Sequence, residues 1–321
     1  MAFVAFTAAF DIDNLDFHAA YGPGHVAVPI DHQAISIPAQ HFVFLDSEIN
    51  IPEQVIDIPE TTLVRAVGGA ILAIGGTGLE ATAAGYPSAG TANYLAMGNG
   101  GVSFQALGIG MDGRAFAAAA RSVGTADDRL LFQNMLSGND MILLSAGSDR
   151  IDTGGGRDFV TDIGGNDTIA TGAGNDIVQS ATGDDVLDGA GGNDLLMDLA
   201  GKDELNGGAG RDILWAFDGG DTLSGGPGAD VFLFVAAQGA SVVRDFADGV
   251  DRLLIYPPGL EFDDLVITQV GTSARVKFGG TTVTLQHVDA GALTAADFIF
   301  GKLGVVNHAV ADFFDGWNYT A

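Results

Sequence analysis

Between residues 138 and 232, apolar and polar positions recur with a period of nine. The apolar position holds Ile142, Ile151, Val160, Ile169, Val178, Leu187, Leu196, Leu205, Leu214, Leu223 and Phe232, without one insertion. Two residues before each stands an aspartate: Asp140, Asp149, Asp158, Asp167, Asp176, Asp185, Asp194, Asp203, Asp212, Asp221 and Asp230. Two residues before each aspartate stands a glycine, from Gly138 to Gly228. The pattern predicts a short strand whose apolar residue points inward, alternating with a tight turn in which glycine takes backbone angles that a side chain opposes. One such unit cannot bury its own apolar side chain, so the units must coil into a solenoid whose stacked strands pair at about 4.8 Å.

The flanking segments read mainly as β as well. A solenoid has two open ends, and unpaired strand edges invite association, so both need caps. After the repeats, VFLFV, SVVRDF, DRLLIY, DLVITQV, ARVKF and TTVTLQHV are short β-type runs split by turn residues, predicting an antiparallel or mixed segment that continues the roll. Before the repeats, residues 113–136 hold the best helical spacing in the chain and are expected to cap the N-terminal end. Residues 61–112 are glycine-rich and β-like, and Ile35-Ser36-Ile37-Pro38, Ile49-Asn50-Ile51-Pro52 and Ile56-Asp57-Ile58-Pro59 each suggest a short strand ended by proline. The expected organisation is a β-rich N-terminal domain at 1–112, a helical cap at 113–134, the roll at 135–234 and a β cap at 235–321.

Stacking places the aspartates in columns. Two carboxylates about 5 Å apart repel by about 1 to 3 kcal/mol, which opposes folding unless a cation lies between successive turns. The turns offer carboxylate oxygens and backbone carbonyls, the ligands of a hard divalent ion. Calcium fits these flexible turns better than magnesium, which demands strict octahedral geometry and keeps its waters. A single Asp-Gly turn is commonly just a solvated turn; eleven in register favour calcium.

Composition narrows the partners. The formal net charge of -28, from 41 acidic and 13 basic residues, repels phosphate backbones and anionic headgroups, so neither nucleic acid nor a membrane surface is an expected partner. There is no cysteine, which excludes disulfides and thiolate chemistry. The apolar N-terminus MAFVAFTAAF has no basic region before it, and the longest apolar run, at 66–79, falls short of the roughly twenty residues of a spanning helix. A chain without a cleaved leader or membrane anchor is expected.

The copies are not equivalent, and the true period is eighteen. Every second unit opens with small residues, Thr153-Gly154, Thr171-Gly172, Gly189-Ala190, Gly207-Gly208 and Gly225-Gly226. The units between open with Leu144-Ser145, Asp162-Ile163, Ser180-Ala181, Asp198-Leu199 and Ala216-Phe217. The flank carrying Asp140, Asp158, Asp176, Asp194, Asp212 and Asp230 is expected to hold a regular row of calcium ions. The flank carrying Asp149, Asp167, Asp185, Asp203 and Asp221 has bulkier turns and is expected to hold weaker or fewer ions. The candidate ligands are these aspartates together with Thr153, Gly155, Thr171, Ala173, Gly189, Gly191, Gly207, Ala209 and Gly225 in the turns.

Gly207-Gly208-Ala209-Gly210-Arg211-Asp212-Ile213-Leu214 and Gly225-Gly226-Pro227-Gly228-Ala229-Asp230-Val231-Phe232 resemble the G-G-x-G-x-D-x-U-x nonapeptide of RTX, or hemolysin-type calcium-binding repeat, proteins. The resemblance implies an all-β fold, a right-handed parallel β-roll with two nonapeptides per turn and calcium between successive turns on each side. Asp245-Phe246, Gly249, Asp251, Leu254, Val283-Thr284-Leu285 and Asp297-Phe298-Ile299-Phe300 are similar to the region that follows RTX arrays. In that family the uncleaved C-terminus is a type I secretion signal, which implies export from a Gram-negative bacterium. The tail 301–321, ending DFFDGWNYTA, departs from the usual ending.

Catalytic motifs are missing. No His-Glu-x-x-His offers a zinc-protease site, and Gly85-Tyr86-Pro87-Ser88-Ala89-Gly90 has the wrong spacing for a nucleophile elbow. Gly108-Ile109-Gly110-Met111-Asp112-Gly113 fits G-x-G-x-x-G without the βαβ context of a dinucleotide site, and reads as a glycine-rich turn. His18, His25, His32 and His41 lack metal-site spacing. The expected function is therefore a non-enzymatic, calcium-binding component of the cell surface or extracellular matrix. The alternatives are a secreted hydrolase with its active site in 1–135, or a metal or heme module. An N-terminus bearing Phe3, Phe6 and Phe10 either docks as an added strand into a neighbouring subunit, building a homo-oligomer or filament, or packs on its own domain.

Overall fold

A computed structural model describes residues 134, 136–217, 220–256 and 259–300 with their side chains, and gives the backbone of nine strands between Phe3 and Asp112. The chain divides into two compact units, residues 1–41 with 50–163, and residues 42–49 with 164–321. The repeats form a parallel β-solenoid of about six turns, with almost no helix.

Within residues 164–321, one face of the solenoid stacks Ile177–Ser180, Leu195–Asp198, Ile213–Ala216, Val231–Val235, Arg252–Tyr256 and Phe298–Phe300 in parallel. Val178 lies opposite Leu196, Leu196 opposite Leu214, and Leu214 opposite Phe232, so the apolar positions stack at the predicted interval of eighteen. The other face stacks Thr168–Ala170, Val186–Asp188, Glu204–Asn206, Thr222–Ser224 and Ala240–Val243. In the other unit, Met141–Leu143 pairs in parallel with Phe159–Thr161 in the same register. All eleven residues at the repeat's apolar position are buried. Within residues 164–321 they form stacked aliphatic layers that continue past Phe232 to Leu253 and Phe298.

The invariant glycine two residues before each aspartate has a steric cause. A Cβ on Gly192 would lie 1.3 Å from the carbonyl oxygen of Gly174, one coil earlier, and one on Gly183 would lie 1.4 Å from that of Gly165. Both glycines have positive φ, so close approach and backbone angle select the same residue.

The last coils pass into the C-terminal cap without a break in pairing. Ala240–Val243 pairs in parallel with Thr281–Leu285, which continues antiparallel to Ser273–Phe278, itself antiparallel to Val266–Val270. This is the mixed β segment expected from the sequence.

Upstream, Thr61–Val67, Ala70–Ala81, Pro87–Asn99 and Phe104–Asp112 form an antiparallel meander. The strands Gln33–Ile37, Ser47–Ile51 and Gln54–Ile58 each stop at the isoleucine before a proline. Gly108 to Asp112 lies in the strand Phe104–Asp112, with a register shift opposite Ala92 and Tyr94; the glycines serve a bulged strand where the sequence suggests a turn. Phe3–Phe6 pairs antiparallel with Phe104–Asp112 and parallel with Met141–Leu143. The N-terminal strand thus covers the first strand of its own roll. The helical cap expected at 113–134 lies outside the described residues except for Asn134, and the side chains of His18, His25, His32 and His41 lie outside them entirely.

Candidate metal centre

Each turn aspartate splits its two carboxylate oxygens between two tasks. Oδ1 accepts the backbone N–H of the aspartate one coil earlier. Asp176 donates to Asp194 at 2.9 Å, Asp194 to Asp212 at 2.8 Å and Asp212 to Asp230 at 2.9 Å. On the opposite flank Asp167 donates to Asp185 at 2.7 Å, Asp185 to Asp203 at 2.9 Å and Asp203 to Asp221 at 3.2 Å. Asp140 donates to Asp158 at 2.9 Å in the same way. Where the residue before the aspartate is an asparagine, it adds a parallel ladder: Asn175 Oδ1 accepts from the Asn193 amide at 2.8 Å, and Asn193 Oδ1 from the Arg211 amide at 2.8 Å. The carboxylates are therefore held in register by backbone donors before any ion is considered.

On the first flank, Oδ2 faces whatever occupies the first position of its own turn. On the flank of Asp194, Asp212 and Asp230 that position is Gly189, Gly207 and Gly225. A Cβ there would stand 2.4 to 2.5 Å from Oδ2, so only glycine leaves the space open. The result is three Oδ2 atoms, eighteen residues apart, buried and without a hydrogen-bond partner. At the N-terminal end of the same flank, Thr153 fills the position and donates its hydroxyl to Asp158 Oδ2 at 2.5 Å. Thr171 instead turns its hydroxyl to the Gly189 carbonyl at 3.4 Å.

Burial raises the proton affinity of these carboxyls. Desolvation is the leading cause, opposed by the ladder amides and reinforced by neighbouring charge. Asp194 is pushed up to about 8, with Asp176, Asp212 and Asp188 adding to the effect, and Asp230 to about 7. Asp212 and Asp221 rise to about 6. A buried oxygen without a donor, in a cradle that a methyl group would fill and on a group resisting ionisation, is suited to a cation.

Of the other candidate ligands, the backbone oxygens of Gly191, Ala209 and Gly225 each accept one amide from the preceding coil, those of Gly174, Gly192 and Gly208, at 2.8 to 3.1 Å. Gly155 donates to Thr153 O at 3.1 Å and Gly191 to Gly189 O at 2.9 Å within their turns. A carbonyl has two lone pairs, so those of Gly191, Ala209 and Gly225 each retain one for a metal, whereas Gly189 O also takes the Thr171 hydroxyl. Ala173 joins Gly191, and Gly191 joins Ala209, by isolated bridges that bring these turn carbonyls into stacked register. Carboxylate Oδ2 and turn carbonyls of consecutive coils form an all-oxygen donor set, which fits calcium.

Three aspartates missing from the repeat reading also belong here. Asp251 ends the first flank's column: its Oδ1 accepts from Asp230 at 3.0 Å and its Oδ2 from Ala247 at 2.7 Å, so both oxygens are satisfied by backbone. Asp162 and Asp198 occupy the first position of second-flank turns, buried, with neither oxygen hydrogen-bonded. Counting these two only as bulky residues hides the charge they bring. Asp251 stands 21 residues after Asp230 and so falls outside the period.

Parallel coils with columns of half-satisfied carboxylates define a cation-binding β-solenoid. Residues 136–161, 163–196 and 199–232 match the family model of the RTX calcium-binding nonapeptide repeat. The roll is an RTX β-roll, and it binds calcium. No curated protein matches the chain. Among solved structures it is similar to the extracellular lipase LipA of Serratia marcescens, with 20% identity and a TM-score of 0.23 over 51% of this chain and 38% of the lipase. It is also similar to the AlgE6R3 subunit of the Azotobacter vinelandii mannuronan C5-epimerase, with 20% identity and a TM-score of 0.20 over 58% of this chain and 84% of that one. The chain thus spans well under half of the lipase.

Proposed function

We propose that this protein is a secreted, non-enzymatic component of the cell surface or extracellular matrix of a Gram-negative bacterium, exported by a type I apparatus and folded by the calcium it meets outside. The observation that carries this reading is the row of buried, donor-less oxygens on Asp194, Asp212 and Asp230. Metal binding there supplies folding free energy, so the roll stays open where calcium is scarce and closes where it is abundant. Such a chain passes an export channel unfolded. RTX repeats typically belong to secreted proteins, and among the described residues no helix is long and apolar enough to cross a membrane.

The N-terminal strand supports a reading of self-assembly. Phe3–Phe6 covers the first strand of its own roll, and the same pairing exchanged between copies joins subunits head to tail into fibres or sheets. Electron microscopy across a calcium titration tests this: ordered assemblies that vanish with chelator and fail to form after deletion of residues 1–12 are expected. Assembly unchanged by that deletion would rule out the strand. Hydrolysis of polysaccharides, esters or peptides by the calcium-loaded protein would contradict the non-enzymatic role.

A further inference from the structure

The second flank does not leave its Oδ2 atoms in open cradles. Ser180, at the first position of its turn, donates its hydroxyl to Asp185 Oδ2 at 2.5 Å. One coil on, the same position is Asp198, which is 1% exposed and has neither carboxylate oxygen hydrogen-bonded. Carboxylate oxygens of Asp185, Asp198 and Asp203 lie within 4.8 Å of one another. The remaining contacts of the group fix its members in place: Asp185 Oδ1 accepts from Asp167 at 2.7 Å, and Asp203 Oδ1 from Asp185 at 2.9 Å.

Three converging carboxylates need a compensating charge. A proton shared between Asp198 and Asp203 satisfies one of Asp198's oxygens and leaves the other buried and bare. A multivalent cation satisfies both, and a higher count of ligand charge strengthens calcium binding. We propose that Asp185, Asp198 and Asp203 form a separate calcium site, set apart from the glycine-cradled row by a third carboxylate, that fills before that row as calcium rises. This deepens the calcium reading of the roll and does not depend on what the loaded protein does outside the cell. Asp162, 36 residues before Asp198 at the same place in the repeat, is buried and equally without hydrogen-bond partners, which makes this turn a recurring device.

Terbium, a luminescent substitute for calcium, tests the site in the full chain. Ala216 is the parallel neighbour of Asp198, and Trp215 precedes it, so indole-sensitised emission reports on an ion bound here. The first equivalent of terbium is expected to give emission that Trp215→Phe removes. Asp198→Asn should shift that first step to at least about tenfold higher terbium, while Asp194→Asn leaves it in place. Asp198→Ser guards against misfolding, because it copies the arrangement Ser180 makes with Asp185; it should fold in saturating calcium and lack the first step. An unchanged first step in Asp198→Ser, or its loss in Asp194→Asn, overturns the proposal. Loss of all calcium-dependent folding in the wild type would instead overturn the reading of the whole roll.

Discussion

The two flanks of the roll share one backbone course and one Oδ1 ladder, yet they treat the second carboxylate oxygen differently. On the glycine flank, Gly189, Gly207 and Gly225 withdraw their side chains and leave Asp194, Asp212 and Asp230 each with one bare buried oxygen. On the opposite flank, the oxygen meets hydroxyls at Asp149, Asp185 and Asp221, from Ser145, Ser180 and Ser241. Between two of those coils Asp198 brings a further carboxylate to Asp203. One flank spreads its demand for cations evenly over consecutive coils. The other satisfies some coils internally and concentrates charge in another. Bulk at the first turn position therefore says little about cation binding until the chemistry of the bulk is considered: a serine replaces a cation's contact, whereas an aspartate adds one.

The largest effect expected from this difference is on the calcium-free protein, and it depends on pH. Asp194, Asp230, Asp212 and Asp221 have folded values of about 8, 7, 6 and 6, all above the ordinary 3.8. The folded, calcium-free roll holds protons that the unfolded chain has released. That contribution is fully present below about pH 4 and is lost as pH rises through the folded values, from about 6 to about 8. Calcium-free protein is thus expected to show little β signal by circular dichroism at about pH 8 and to gain it on acidification to about pH 5. Calcium-loaded protein is expected to release its ions over the same range. A calcium-free β signal that grows as pH rises would reverse the sign.

Next in size are the glycines. Gly192→Ala drives a Cβ against the Gly174 carbonyl, whereas Gly191→Ala places one in open space, where the neighbouring coils already carry Ala173 and Ala209. In denaturant unfolding with calcium present, the first should cost roughly 3 to 5 kcal/mol and the second less than about 0.5 kcal/mol.

The smallest contrast separates the flanks directly. Asp212→Asn should remove about one calcium ion from the stoichiometry measured by calorimetry, because it takes away the carboxylate charge facing an open cradle. Ser180→Ala should leave the stoichiometry unchanged and cost about 1 to 3 kcal/mol of stability, because it strips the donor from a buried carboxylate oxygen. A lost ion in the serine variant would show that hydroxyl and cation do not substitute for one another.

Most of the roll was legible in the sequence because its two strongest constraints are strictly periodic. The apolar residue must point inward on every half-coil, and the glycine must yield to the carbonyl one coil earlier; both leave a mark at every ninth residue. The division of labour within each carboxylate left no such mark. It depends on which atom of the first turn residue reaches Oδ2, and Thr153 and Thr171, identical in type and motif position, send their hydroxyls to different acceptors. The role of Asp251 was hidden for a related reason, since it joins the column through a coil lengthened beyond eighteen residues. At the N-terminus, apolarity alone left open whether Phe3–Phe6 joins another subunit or its own roll. Pairing geometry, which composition does not encode, puts it on its own chain.

The central claim is that the aspartate ladders hold together only when cations compensate the oxygens they leave over. Hydrogen exchange at the ladder amides of Asp176, Asp194 and Asp212, measured by NMR at neutral pH with and without calcium, tests it most directly. These amides donate to the carboxylates of the next coil. The account predicts strong protection with calcium and exchange close to that of an unfolded chain without it. Equal protection in both conditions would mean that the ladders stand without metal, and would contradict it.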